Sequence, residues 1–116
     1  MGKKKNKGKN LGEFEILVLT ALMRLKDKAY GIAIKTEIEK TTGRETTIGA
    51  IYATLERLEN KGLISARMGE ATAARGGRAK KFFSIESEGE MRLRESYRVL
   101  NAISKGIITW SRIGLS

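Results

Sequence analysis

Residues 43–64 read GRETTIGAIYATLERLENKGLI, and the fold turns on how they are read. Ile48, Ile51, Tyr52, Leu55 and Leu58 share one face of an amphipathic helix. Thr46 or Thr47 is the natural N-cap, and Gly62 is the expected stop, with Leu63 folding back on the last turn. The opposite face carries Gly49, Ala50, Ala53, Thr54 and Arg57 and no bulky apolar group. Small residues let a helix backbone approach the floor of a major groove, where Thr and Arg can contact base edges or phosphates and the helix N-terminus favours phosphate oxygens. The plainer reading of that face is a solvated helix surface.

Upstream, Phe14, Leu17, Val18, Ala21, Leu22 and Leu25 draw one stripe on a first helix, with Asn10 and Glu13 spaced as a capping box. A second helix is expected from about Tyr30 to Thr41, with Tyr30, Ile34 and Ile38 four apart and Gly43 as its stop. Two helices joined by so short a connector make a helix-turn-helix. Downstream the period changes to two: Ile64, Ala66 and Met68 alternate with Ser65 and Arg67, and Phe83 and Ile85 flank Ser84. Two strands linked by a loop from Gly69 to Ala79 follow. Arg67, Arg75, Arg78, Lys80 and Lys81 lie along them against a single acid, Glu70, so this wing is expected to meet phosphates unless the charge serves only solubility. Neutralising about five phosphates would give a log–log salt slope of roughly −4 to −5.

Ser87 and Glu90 are spaced as a second capping box, opening a long helix expected to run to about Trp110. Leu93, Tyr97, Leu100, Ile103, Ile107 and Trp110 form a near-heptad seam on it, which asks for a partner surface. The expected fold is mainly α (α+β): a winged helix-turn-helix with a two-stranded β-wing and a long C-terminal dimerisation helix. It divides into a disordered basic arm (1–10), the DNA-binding domain (11–86) and the dimerisation helix (87–116).

Composition narrows the chemistry. The 116 residues carry 23 Lys and Arg against 13 Asp and Glu, a formal charge of +10 with no histidine, so the sign persists across physiological pH. Lys3, Lys4, Lys5, Lys7 and Lys9 account for half of that excess, and the rest of the chain is basic as well. Acidic partners are expected. Without cysteine or histidine the commonest zinc ligands, the thiolate nucleophile and the commonest general base are missing, so no metal, no cofactor and no enzymatic activity are expected. No stretch approaches the ~20 apolar residues that span a bilayer, and the lysine-rich start leads into a helix carrying Glu13 and Glu15, so a cytoplasmic protein is expected. Two aromatics stay open. Tyr52 fits core packing alone or core packing with a phosphate-contacting hydroxyl, and Trp110 fits interface packing or a ligand-stacking platform.

The segments LGEFEILVLTAL (11–22), YGIAI (30–34), GAIYATLERLENKGLI (49–64) and GGRAKKFFSIESEGEMRL (76–93), in this order, resemble the PadR-like family of winged helix-turn-helix transcription regulators. The third segment is the most specific, through Gly49, Tyr52, Leu55, Leu58, Gly62 and Leu63. The resemblance implies that Tyr52 touches the DNA backbone, that Thr47, Gly49, Ala50 and Thr54 face the major groove, and that the wing from Arg75 to Lys81 lies along a neighbouring groove. It also implies dimerisation through the C-terminal helix, packed against the partner's first helix. This chain departs from the pattern at Ala53, where proline is frequent, at Phe82 and Phe83, where paired tyrosines are frequent, and at Glu86, where threonine is usual. It resembles the compact branch with a single C-terminal helix and no separate effector domain.

The function expected is a sequence-specific transcriptional regulator, a repressor acting as a homodimer on a palindromic operator in double-stranded DNA. Two alternatives are a winged-helix module that binds RNA or protein, and a regulator that senses an apolar small molecule at the dimer interface.

Overall fold

The structure is a computed structural model that describes residues 10–69 and 79–107. Residues 1–9 of the expected arm (1–10), residues 70–78 of the wing loop with Arg75 and Arg78, and Trp110 lie outside the described residues. In chain order the elements are α1 (Glu13–Leu25), a 3-10 turn (Lys26–Lys28), α2 (Gly31–Thr42), α3 (Ile48–Asn60), β1 (Ile64–Met68), β2 (Lys81–Ile85) and α4 (Ser87–Ser104). This is the winged helix-turn-helix expected from the periodicities, with β1 and β2 paired antiparallel, Ile64 opposite Ile85 and Met68 opposite Lys81.

The core fills the space between α1, α2, α3 and the root of the strand pair. Leu19, Ile34, Ile51, Leu55, Leu58 and Leu63 are the largest fully buried side chains, and Phe83 closes the layer from β2. Each buried side chain of this size contributes about 1.5–3 kcal/mol relative to exposure, which offsets the chain entropy of ordering a small domain. Two charged residues share the interior. Glu15 on α1 accepts from Lys61 Nζ at 3.0 Å and lies 3.6 Å from Arg57 Nε, and Glu37 on α2 accepts from Arg24 Nε at 2.6 Å. These pairs tie α1 to the end of α3 and to α2. Burial works to raise the Glu15 pKa, but the Gly12 amide, Lys61 and Arg57 together hold it below its ordinary value. The Arg24 hydrogen bond outweighs burial and lowers Glu37.

Local details correct several expectations. The first helix is capped at Gly12, whose amide donates to Glu15 Oε1 at 2.9 Å, rather than at Asn10, because Glu15 lies three residues beyond Gly12 and can serve both the cap and the ion pair. The last helix takes Glu86 as N-cap without a side-chain bond, and Glu90 turns instead to Arg94 at 2.7 Å, so the expected Ser87–Glu90 box is not formed. That helix ends at Ser104 rather than near Trp110, where Gly106 adopts a left-handed φ of 79°. Its first turns dock on the domain: Gly89 lies so close to the Leu63 carbonyl that a Cβ there would overlap it, and Leu93 is 5% exposed. Leu93, expected in a dimer seam, therefore belongs to the core of this chain.

Candidate nucleic-acid interface

The turn between α2 and α3 is built from short polar links. Gly43, at a φ of 74°, donates its amide to the Glu39 carbonyl at 2.9 Å, and Arg44 donates its amide to Thr42 Oγ1 at 3.1 Å. The Thr46 amide donates to Glu39 Oε2 at 2.9 Å, which, with Lys35, lowers the Glu39 pKa. Thr47 is the N-cap of α3, its hydroxyl accepting from the Ala50 amide at 3.1 Å. The anionic Glu39 thus fixes the approach to α3, and the start of that helix is left open to solvent.

On the outer side of α3, Gly49, Ala50, Ala53 and Arg57 are exposed beside Thr47, while Thr46 is partly buried. Among the described residues nothing lies within 4 Å of a Cβ built on Gly49, so they leave the space outside this turn open. Thr54 departs from expectation. It is 2% exposed and its Oγ1 accepts from Arg57 Nη2 at 3.2 Å, so it faces the interior with Ile51, Leu55 and Leu58 and drops out of the groove-facing set. Arg57, bonded there and lying 3.6 Å from Glu15, is tethered along α3 while its side chain stays about half exposed.

Tyr52 is 44% exposed and is not a core residue. Its ring lies over Gly31, the first residue of α2, where any Cβ would collide with the phenol. Gly31 is thereby the residue that lets the phenol end of the α3 tyrosine approach the start of α2, a requirement not read from the YGIAI segment.

The described wing residues, 64–69 and 79–85, hold Arg67, Lys80 and Lys81 and no carboxylate. Arg67 and Lys81 are exposed and Lys80 is half-buried. The wing is joined to the helices by more than its strand pair. Phe83 donates its amide to the Ala29 carbonyl at 2.8 Å, and Tyr30 makes an isolated antiparallel bridge to Phe82, so residues 29–30 extend the sheet from β2. Tyr30, Gly31 and Phe82 are functional candidates that local periodicity did not reveal.

The described seam residues beyond Leu93 are exposed. Tyr97 is half-exposed and its hydroxyl lies 2.7 Å from Thr20 Oγ1 on α1, while Leu100 is 54% exposed and Ile103 78%, with Ile107 exposed after the helix end. A groove of about 480 Å³ between α1 and α4 is lined by Leu11, Ile16, Met91, Val99 and Leu100, with Glu88, Arg92 and Glu95 at its side. Among the described residues no group of three or more His, Cys, Asp or Glu could hold a metal ion, and no helix is long and apolar enough to cross a membrane.

Comparison with known proteins matches this arrangement. The family model described as the transcriptional regulator PadR-like family matches residues 18–95. A PadR-like transcription factor from Bacteroides fragilis is 27% identical, with 93% of this chain and 100% of that one covered and a TM-score of 0.64. A PadR-like transcriptional regulator from Bacillus cereus is 21% identical, with 90% and 92% covered and a TM-score of 0.68. A PadR-family regulator from Eggerthella lenta is 22% identical, with 92% and 85% covered and a TM-score of 0.66. No curated protein matches the chain.

Proposed function

The chain belongs to the PadR-like family of transcriptional regulators, and from that premise we propose that it binds duplex DNA sequence-specifically as a homodimer and represses transcription by occupying a roughly palindromic operator. One observation carries the reading: the outer face of α3, with Gly49, Ala50 and Ala53 exposed behind a Thr47 cap, is small and open where it projects. A face without bulk admits a groove floor; a face with bulk would hold the backbone away from it.

On this reading Tyr52, Arg67, Lys80 and Lys81 meet phosphates, Gly49, Ala50 and Ala53 face bases, and the exposed α4 seam of Leu100, Ile103 and Ile107 packs against a second copy. Residues 11–86 form the reading head, residues 87–116 the dimerisation element and residues 1–10 a basic arm. Two reading heads would enter successive major grooves about 34 Å apart. The protein would act in the cytoplasm as a binding protein, with no catalytic step. A second reading, that a small molecule with an apolar part modulates DNA affinity, is favoured by the groove between α1 and α4, whose lining mixes Leu11, Ile16, Met91, Val99 and Leu100 with Asn10, Glu88, Arg92, Glu95 and Ser96.

Selection of bound sequences from a pool of random duplexes, followed by binding to the recovered site across a salt series, tests the proposal. A two-fold symmetric consensus with half-sites one helical turn apart, bound with a steep salt dependence, is expected. Preference for structured RNA over duplex DNA, or recovery of no consensus, overturns it.

A further inference from the structure

Four side chains stand in file toward the loop end of the strand pair. The Arg67 guanidinium carbon lies 4.8 Å from the centre of the Phe82 ring. That ring meets Tyr30 edge to face, with centroids 5.6 Å apart and planes at 70°. Lys80 Nζ sits 3.8 Å from the centre of the Tyr30 ring. The order is cation, ring, ring, cation, with each positive group near the negative face of a ring.

The surrounding backbone holds this file in place. Arg67 Nη2 donates to the Asp27 carbonyl at 3.4 Å, the Gly69 amide donates to the Lys80 carbonyl at 2.7 Å, and the Phe82 ring fills the place a Cβ on Gly69 would take. The other end of the file reaches the helices. Tyr30 is the N-cap of α2, and the residue after it, Gly31, lies under Tyr52 of α3. Contacts thus run unbroken from α3 through Tyr52, Gly31 and Tyr30 to Phe82 and the two wing cations.

We propose that Tyr30 is a positioning residue for DNA binding: its ring holds the Lys80 ammonium, and through Phe82 the Arg67 guanidinium, at a set distance from the outer face of α3. The inference rests on the reading that the chain binds DNA. A free lysine samples many rotamers and must give them up on meeting a phosphate, whereas one already seated over a ring has given up much of that freedom beforehand. An ammonium seated on a ring keeps N–H groups pointing away from it, free to donate. The Tyr30 hydroxyl has no part in the stack, so phenylalanine should replace tyrosine without loss.

The test uses the full chain and a labelled mixed-sequence duplex across a salt series. Lys80→Gln should weaken binding about tenfold and reduce the salt slope by about one. Tyr30→Leu should weaken binding by a comparable factor, and in the Lys80→Gln background it should cost clearly less than it does alone, because only its indirect hold on Arg67 through Phe82 is left to lose. Tyr30→Phe should stay within about twofold of the native chain. In the native chain the Lys80 methylene protons next to the ammonium should show an upfield ring-current shift by NMR, kept in Tyr30→Phe. That signature judges the stack even if Tyr30→Leu fails to fold. Losses that multiply in the double variant, a Tyr30→Phe protein as weak as Tyr30→Leu, or unshifted Lys80 protons overturn the proposal while leaving DNA binding intact. A native chain that ignores the duplex even at low salt overturns the DNA-binding reading, and this one with it.

Discussion

Two helices of this molecule turn a face to solvent, and the faces are opposites. The outer side of α3 presents Gly49, Ala50 and Ala53, while the outer side of α4 beyond Leu93 presents Val99, Leu100 and Ile103. Exposed small residues cost nothing in water, so the α3 face is stable bare and can wait for a charged partner. Exposed branched residues in a row forgo about 25 cal/mol for each Å² left wet, so the α4 face gains from being covered. On the proposed reading, shape complementarity to a polyanion and apolar burial fall to separate surfaces of one small chain. The difference gives each surface a distinct signature on substitution.

The largest effect should come from moving a change along α4 itself. Leu93→Ala opens a cavity within the chain and should cost about 2–5 kcal/mol of folding stability at any protein concentration. Leu100→Asp, only two turns further on, should leave the monomer fold nearly untouched by circular dichroism. It should raise the dimer dissociation constant by on the order of 100-fold in sedimentation velocity, since an unpaired carboxylate would enter the seam. A Leu100→Asp protein that sediments like the native one would place the partner contact elsewhere.

Next comes the converse change on α3. Ala50→Glu projects a carboxylate from an exposed position and should keep fold and dimer while weakening duplex binding by about 10- to 100-fold at low salt, measured by fluorescence anisotropy. Native-like affinity would mean that α3 is not the face that meets DNA.

A smaller effect follows from acid. Glu15 and Glu37 fasten α1 to α3 and α2, and both have pKa values below the ordinary 4.5. A carboxyl group with a lower pKa in the folded state binds fewer protons there than in the unfolded chain, so its stabilisation is complete above pH 4.5 and fades as pH falls through the lowered value. With no histidine in the sequence, unfolding midpoints in denaturant should be flat from about pH 6 to 8 and then fall below about pH 4.5. A decline already under way near pH 6 would mean that these two carboxylates are not held ionised as described. The apolar α4 seam should respond to acid only as the domain beneath it loosens.

Much of this was legible from spacing alone, because helices and strands print their period on the sequence. The helix-turn-helix, the strand pair and the exposed α4 stripe follow from it. Thr54 is legible too, although its polarity points the other way: Ile51, Thr54, Leu55 and Leu58 fall at i, i+3, i+4 and i+7, the buried stripe, and Thr54 is tolerated there because its hydroxyl accepts from Arg57. Tyr52, next to Ile51, sits at the edge of that stripe, which is why it can lie over Gly31 and stay half-exposed. The division of the α4 seam at Leu93 was not legible, since an apolar residue reads alike whether its neighbour belongs to the same chain or another. Nor was the Tyr30–Phe82 bridge, which joins segments far apart in sequence and leaves no local period.

The finest distinction between the two faces concerns where α4 stops belonging to its own domain, and Tyr97 marks that boundary. Thr20 Oγ1 already donates its single hydrogen to the Ile16 carbonyl at 2.7 Å, so in the 2.7 Å contact with Tyr97 the phenol must be the donor and the threonine the acceptor. Tyr97→Phe removes that donor and leaves a threonine lone pair that water can reach, so the cost should be below about 1 kcal/mol of stability by thermal or chemical unfolding. The dimer constant should move by less than about threefold, because the ring stays. A loss as large as that of Leu93→Ala would mean the docked part of α4 extends at least one turn further than the burial of Leu93 implies. The partner-facing surface would then begin at Leu100, and a second copy would have correspondingly less apolar area to cover.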